Sequence, residues 1–395
     1  MKIVIAPSGF KECLDAEEVA SAMERGARRF DPSIHIHSIP MIDGGEGFAK
    51  AIIKLKGGQL HYREVTGPVG QKILSHFGLY EDRHKRTAVI EMAAAAGLKL
   101  VPRDQRNPLQ TTTCGVGELI LSALDLGVDR ILIGCGDSGT SDGGAGMAQT
   151  LGARFFDESG KLIHIQGGGD LLRAASVDIS WLDKRLDNTI IDVACNWKNV
   201  LCGEQGVARI FGPQKGATPE QVEQLAAALE HYASLIQEAV SLDVRLLPGS
   251  GASGGLGAGL AAFAGAFLHP RFHIISDYIN IEERISEADI VMTAEGSIDF
   301  QTPNEKIPSE VARIAKKNNI PVIALTGTIG RGAELNYRAG IDAYCSIIQK
   351  PATLETAMKN APLWIEQATE SVLRQVAIGL GVAKKNLELY EVYQK

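Results

Sequence analysis

The sequence predicts an α/β protein of two domains. One is a doubly wound parallel sheet assembled from both ends of the chain; the other is a second α/β domain inserted between them. Three observations carry this. Short β-branched runs alternate with helix-patterned segments over the first sixty residues and again over the last third. Between Gly58 and Met92 the pattern changes to the closely spaced runs YREVTG, ILSHFGLY and TAVIEM, parted by turn residues, which marks antiparallel hairpins and a domain boundary. Glycine-rich or acidic turns follow several apparent strands, where open α/β sheets line their ligand crevice. The expected domains are 1–65 with 285–395, and 66–284.

Ile3 to Ala6 reads as a strand, Asp15 to Phe30 as a helix with Asp15 as its N-cap, and His35 to Pro40 as a second strand. Gly115 to Leu126 forms a helix leading into the central stretch from Asp129 to Gly146, DRILIGCGDSGTSDGGAG. There a buried strand gives way to five glycines before Ala145 opens a helix-like run, the pattern of an anion-binding turn. ARFFDESGKLI, from Ala153, is a hairpin about Glu158 to Gly160, and Ile190 to Cys195 is another buried strand. Thr218 to Val240 is an amphipathic helix with Thr218 as N-cap, Pro219 first and Gln221 at capping-box spacing. After the glycine run Gly249 to Gly259 comes a small-residue helix, LAAFAGAF, then strands at Ile290 to Thr293 and Val322 to Thr326 with helices between and after.

Composition bounds the function. Over 395 residues, 45% hydrophobic and 22% charged content is ordinary for a globular protein able to bury a large core. A net charge of −7 without a basic stripe gives a nucleic-acid role no electrostatic footprint. The six cysteines are scattered, with no CxxC pair and no zinc-like spacing, which fits free thiols in a reducing cytosol. The opening MKIVIAPSGF is too short and wrongly flanked for a signal peptide, and no later apolar stretch of membrane-span length is free of glycine.

Five turns could carry chemistry: Asp43-Gly44-Gly45-Glu46-Gly47, Gly134 to Gly146, Gly212-Pro213-Gln214-Lys215-Gly216, Gly249 to Gly259 and Glu295 to Asp299. Any one alone is a common turn; their accumulation points to a ligand. Gly134 to Gly139 formally matches GxGxxG, but Asp157, at the distance of a ribose-binding acid, falls in a hairpin turn, and there is no P-loop motif. His35, His37, His164 and His273 lie in strand-like segments, and neither a Ser-His-Asp order nor a GxSxG elbow is present. Phosphoryl transfer needs phosphate donors, cations, carboxylates for Mg²⁺ and a group to orient the attacking hydroxyl. Lys11, Lys215, Asp43, Asp142, Asp192, Glu295 and Asp299 supply each of these beside glycines or at strand ends.

In order along the chain, IVIAPSGFKE, DGGEG at 43, VIEMAAAAGL at 89, RNPLQTTTCGVGELI at 106, the DGGAGM turn, CGEQGVARIFGPQKGAT at 202, GASGGLGAGL at 251 and TAEGSIDFQT at 293 resemble the type I glycerate kinases. The resemblance spans nearly the whole chain. It implies a flavodoxin-like domain plus an inserted α/β domain, and ATP- and Mg²⁺-dependent phosphorylation of a glycerate hydroxyl, usually at the 2-position. The chain departs from the family pattern at Ser8-Gly9 (Asp-Ser), Asn196 (Asp), Gly136 to Asp142 (GGSATND), Ala294 and Ser297 (TGEGRLD), and Glu305 to Pro308 (GKAP). Two motif carboxylates are thereby lost, and Asp137 is gained.

The resulting expectation is a kinase for glycerate or a related small hydroxy acid; the alternative is a weakly active or non-catalytic relative that binds ligand as a sensor. Asp299, Lys215, Lys11, Asp192 and Asp137 are the expected catalytic residues. ATP lies against Gly134, Gly136, Gly139, Gly143, Gly144, Gly254, Gly255 and Gly257. Ser8, Asp43, Gly44, Gly45 and Asn196 meet the acceptor, and Glu295 and Asp299, with Asp192 as a further candidate, hold Mg²⁺. Partners are the acid and ATP, with neither nucleic acid nor membrane; a homodimer is allowed.

Overall fold

A computed structural model describes residues 1–10, 13–41, 44–304 and 306–393, with side chains through 383. Lys11 and Asp43 lie outside the described residues. Fourteen strands occur among those described. The first seven are β1 Lys2–Ile5, β2 His35–Ser38, β3 Gln59–Thr66, β4 Lys72–Asp82, β5 Lys85–Glu91, β6 Arg130–Gly134 and β7 Arg154–Phe156. The rest are β8 Leu162–Ile163, β9 Ser176–Asp178, β10 Ile190–Cys195, β11 Phe267–Pro270, β12 Ile290–Ile298, β13 Val322–Ile329 and β14 Ala343–Ser346. The chain divides into two compact units, Met1–Ile42 with Asn280–Lys395, and Asp43–Ile279.

The first unit is a five-stranded sheet in the order β14-β13-β12-β1-β2, parallel throughout. Counted along the unit's own strands the order is 2-1-3-4-5, the flavodoxin-like winding, with its switch point between β1 and β12. Ile3, Ile5, Ile290, Met292 and Leu325 build the core from the sheet. Val19 and Met23 meet them from the helix Ala16–Phe30, and Trp364 and Ile365 from the helix Leu354–Tyr393. Asp15 caps the first of these helices in a full capping box with Glu18. Gly26 in that helix is set by packing: a Cβ there would stand 2.2 Å from the Glu366 carbonyl oxygen. Arg25 and Arg29 grip the Glu366 carboxylate at 3.0 and 2.9 Å beside this close approach.

The second unit carries a six-stranded sheet, β11-β10-β6-β5-β4-β3. Its first four strands are parallel, and β4 and β3 add antiparallel hairpins, as the shift in pattern after Gly58 predicts. A small sheet, β8-β7-β9, is also antiparallel, with the expected hairpin turn closed by Asp157, whose carboxylate accepts from Ser159 and Lys161 N–H. The helix Pro219–Val240 has its predicted Thr218–Gln221 capping box.

Several elements differ from expectation. A boundary at 65/66 would cut β3, which pairs with β4 from Gln59 to Thr66, and one at 284/285 would cut the helix Ile281–Ser286. The helix Ala252–Phe263 starts inside the glycine run, with left-handed φ at Ser253, Gly254 and Gly255. His273 stands in the helix Arg271–Ile279, and His164 lies just beyond β8. β12 and β13 run on to Ile298 and Ile329, carrying Glu295 inside a strand rather than past its end.

Candidate active site

In the first unit a cavity of about 420 Å³ opens beyond the carboxyl ends of the sheet strands, beside the switch point. Gly9 and Phe10 after β1, Glu295 to Ser297 of β12, and Gly327 and Thr328 of β13 line one side. Ile347 and Ile348 after β14 and one face of the C-terminal helix line the other. Glu295 pairs in register with Thr326 of β13. Asp299 follows β12 in a tight turn: its Oδ1 accepts from Gln301 N–H at 2.8 Å, its own N–H donates to Thr302 Oγ1, and its carbonyl accepts from Asn336 Nδ2. One bond to the carboxylate and two to the backbone thus fix this residue.

Lys306, the residue before the helix Ile307–Lys317, joins the two acids. Its Nζ lies 3.8 Å from Glu295 Oε1 and 3.9 Å from Asp299 Oδ1, and both acid side chains are only about one-fifth exposed. On this partly shielded rim a cation and phosphate oxygens could replace the ion pairs to Lys306. Lys306 is the residue sequence reasoning missed as a site. Its signal was a lysine at a helix entry with Pro308 behind it, seven residues after Asp299. Ser8 is placed near this rim but presents no hydroxyl: buried after β1, it donates both N–H and Oγ–H to the Ala294 carbonyl, at 2.8 and 3.0 Å, sealing the β1–β12 seam.

In the second unit, four expected acceptor or catalytic residues gather above the carboxyl ends of β6 and β10. A Cβ on Gly44 would contact the Ala194 carbonyl and Cys135 N, and one on Gly136 would come 2.7 Å from the Gly45 Cα. Asp137 is exposed at φ 49°, in the left-handed region that favours glycine, and its Oδ2 accepts from Glu46 N–H at 3.0 Å. Asn196 closes an Asx turn, its Oδ1 accepting from Lys198 N–H. An aspartate could make the same bond, so the family's substitution here is locally silent in geometry.

The glycines expected against ATP are occupied by their own unit. A Cβ on Gly134 would meet Phe48 at 2.6 Å, on Gly139 Val101 at 2.8 Å, and on Gly143 Tyr232 at 2.6 Å. On Gly144 it would meet Gly259 Cα at 3.0 Å, on Gly254 the Thr140 carbonyl at 1.9 Å, on Gly255 Leu201 at 2.7 Å, and on Gly257 the Gly249 carbonyl at 2.2 Å. The two long glycine runs therefore interlock, and their missing side chains serve backbone packing rather than an open cradle.

Two charged residues are corrected in the same way. Asp192 lies midway along β10, buried, and accepts from Arg130 Nη2, His269 Nε2 and Tyr278 Oη, each at 2.8 Å. Three donors already claim its carboxylate here, in the other unit from Glu295 and Asp299. Lys215 is only 2% exposed, and its Nζ donates to the Thr140 carbonyl at 2.5 Å and to Ser141 Oγ at 3.5 Å. Asp142, fully buried, accepts from Thr113 N and Oγ1 at 2.8 Å and from Gly144 and Gly146 N–H at 3.1 Å. Together these residues pin the glycine turn from inside.

Burial pushes the Lys215 ammonium down to about 7, against an upward pull from Asp142. In the unfolded chain a lysine titrates near 10.4. Between those values the unfolded state holds a proton that the folded state lacks, so this lysine makes stability rise from about pH 7 to about pH 10. Urea unfolding of the protein and of Lys215→Met should show the midpoint difference moving in favour of the lysine form over that range. A pH-independent difference would show that the ammonium is charged and satisfied where it stands.

A doubly wound sheet whose switch point carries a cavity lined by a carboxylate and a lysine, with Asp299 paired to that lysine, is the architecture of an enzyme acting on a small charged molecule. A model described as the glycerate kinase family matches residues 3–377. The glycerate 2-kinase of Escherichia coli (strain K12) is 45% identical over 380 residues, covering 96% of this chain and 99% of that protein. The glycerate kinase of Bacillus subtilis (strain 168) is 44% identical over 384 residues, covering 97% and 99%. Among solved structures, "Crystal structure of putative glycerate kinase 2 from Salmonella typhimurium LT2" matches with a TM-score of 0.83 and 47% identity, covering 96% of this chain and 99% of that one. The chain belongs to the glycerate kinase family. It is a phosphotransferase of that type, with an alcohol group as acceptor. Among the described residues, no helix is long and apolar enough to cross a membrane.

Proposed function

We propose that this protein transfers the γ-phosphoryl group of ATP to a hydroxyl of glycerate, at the 2-position, in the cytoplasm. The observation that carries the phosphoryl-transfer chemistry is Lys306 set between Glu295 and Asp299 at the mouth of the switch-point cavity. The glycerate acceptor rests on the similarity to the glycerate kinases of Escherichia coli and Bacillus subtilis. In the reaction an acceptor oxygen forms a bond to the γ-phosphorus, the bond to the β–γ bridging oxygen breaks, ADP departs, and the hydroxyl proton is released. The protein's part is to position the two substrates and to balance charge on the moving group.

Glu295 and Asp299 suit Mg²⁺, which commonly takes one or two carboxylates and completes its shell with water and phosphate oxygens. Among the described residues there is no group of three or more His, Cys, Asp or Glu placed to hold a metal, so a two-carboxylate site is the one the geometry offers. When bound, the ion would neutralise phosphate charge and orient the oxygens for in-line transfer. Lys306, released from its ion pairs, would then donate to a phosphate oxygen. Lys306→Met should lower kcat/KM for ATP by about 10²-fold or more, since charge stabilisation by a positioned donor is worth that much. Unchanged kinetics would take Lys306 out of the mechanism.

The test of the whole reading is ADP release by purified protein with ATP and Mg²⁺, over D-glycerate and a panel of three- to six-carbon sugar acids. Release with D-glycerate is the expected result. Release with another acid alone would make the altered turns a change of specificity, and stabilisation by ligand without any product would mark a sensor.

A further inference from the structure

We propose that the switch-point cavity receives the purine base of the nucleoside triphosphate, with the base against its aliphatic wall and the phosphates running out to Lys306, Glu295 and Asp299. This rests on the phosphotransferase reading and adds to it where the nucleotide sits. The cavity's lining is of mixed chemistry. Its polar side chains, Glu295, Ser297, Lys306 and Thr328, come from β12, β13 and the entry of the helix Ile307–Lys317. Its apolar lining includes Ile347, Ile348, Leu354, Ala357, Met358 and Ala361.

The last four of these stand at i, i+3, i+4 and i+7, one stripe of the C-terminal helix. That stripe begins where the core does not claim it: Leu354 is 76% exposed. An exposed leucine continuing a buried apolar stripe over a cavity is what a flat apolar ligand would cover. Backbone at Gly9, Gly296 and Gly327 completes the lining; a Cβ on Gly9 or Gly327 would meet the Leu14 or Gly296 carbonyl oxygen at 3.0 or 2.8 Å, so these two glycines serve packing within the unit.

Size and chemistry separate this ligand from the other substrate. Glycerate is a three-carbon acid with polar atoms on every carbon, and an aliphatic wall would strip its water without returning hydrogen bonds. A cavity of about 420 Å³ lies in the range of sites for ligands the size of a nucleoside. A purine nucleotide is apolar and flat at one end and anionic at the other, matching a cavity lined by both aliphatic and charged side chains.

Cys13 gives a local probe, because its half-buried thiol lines the cavity and donates to the Met358 carbonyl at 3.4 Å. Burial pushes this thiol up, so alkylation is followed at alkaline pH on the full chain, and each cysteine is read by peptide mass mapping. Adenosine, which has no phosphate to transfer, should slow alkylation of Cys13 several-fold without slowing that of Cys114, and D-glycerate should not protect Cys13. Ala357→Trp, which fills the cavity from the helix, should raise KM for ATP roughly tenfold or more while KM for D-glycerate stays within about twofold.

Failure of adenosine to protect, or protection by D-glycerate, would overturn the inference. So would an unchanged KM for ATP in Ala357→Trp. If the native protein releases ADP but Cys13 stays unprotected, the base site falls and the kinase reading stands. If it releases none while adenosine still protects, the kinase reading falls and the base site stands.

Discussion

Asp299→Asn should lower kcat by about 10²–10³-fold while the protein melts where the native form does. The side chain has two separable tasks, and the substitution removes one. Its Oδ1 accepts from Gln301 N–H at 2.8 Å, which an asparagine carbonyl oxygen reproduces, and the Thr302 and Asn336 contacts use only the backbone of residue 299. What asparagine cannot supply is the negative charge that faces Lys306 and would face Mg²⁺. Steady-state ADP release together with a thermal melt checks both halves. Full activity would exclude Asp299 from metal binding; a large loss of melting temperature would make its role structural.

Gly254→Ala should produce the largest stability loss of any single methyl added to the second unit. The residue has φ +73°, and a Cβ there would lie 1.9 Å from the Thr140 carbonyl oxygen, the same oxygen that accepts from buried Lys215. Left-handed strain of about 1 kcal/mol adds to overpacking of roughly 1–3 kcal/mol against backbone that cannot yield. For a unit of this size that corresponds to a melting transition lowered by roughly 5–15 °C. Gly265→Ala is the control. It also has positive φ, +59°, but nothing stands within 4 Å of its added Cβ, so only the strain of about 1 kcal/mol should appear. Equal losses in the two variants would show that the interlock carries no energy.

The elements were legible where period and cap agreed. Asp15 and Thr218 announced their helices through capping boxes, and the hairpins from Gly58 to Met92 through their alternation, because these signals are local. The winding of the first unit followed from the βαβ rhythm at both chain ends. Site chemistry was less legible for a physical reason: a glycine between two strands of sequence looks the same whether the space beside it holds phosphate or protein. Gly143 and Gly254 read as a cradle, yet their missing side chains make room for Tyr232 and Thr140. Asp192 in its buried strand and Lys215 in its loop read as reactive charges because spacing cannot reveal the Arg130, His269 and Tyr278 that close around one, or the carbonyl that meets the other. Glu295 and Asp299 both face Lys306, a residue that spacing alone does not bring beside them.

The seam between β1 and β12 has a consequence for how the protein is made. β1 forms its bonds to β12 across some 285 residues of chain, from Ile3 opposite Ile290 to Ile5 opposite Met292. On a ribosome adding about 5–20 residues per second, the first strand waits roughly fifteen to sixty seconds for that neighbour. During that interval Asp43–Ile279, which is continuous in sequence, can emerge and fold by itself, while Ile3 and Ile5 have β2 and the helix Ala16–Phe30 beside them but no β12. The N-terminal strand is therefore the nascent chain's exposed apolar edge, the segment a chaperone would have most reason to shield. Its early burial would require the last hundred residues to arrive first, as they would in a circularly permuted gene.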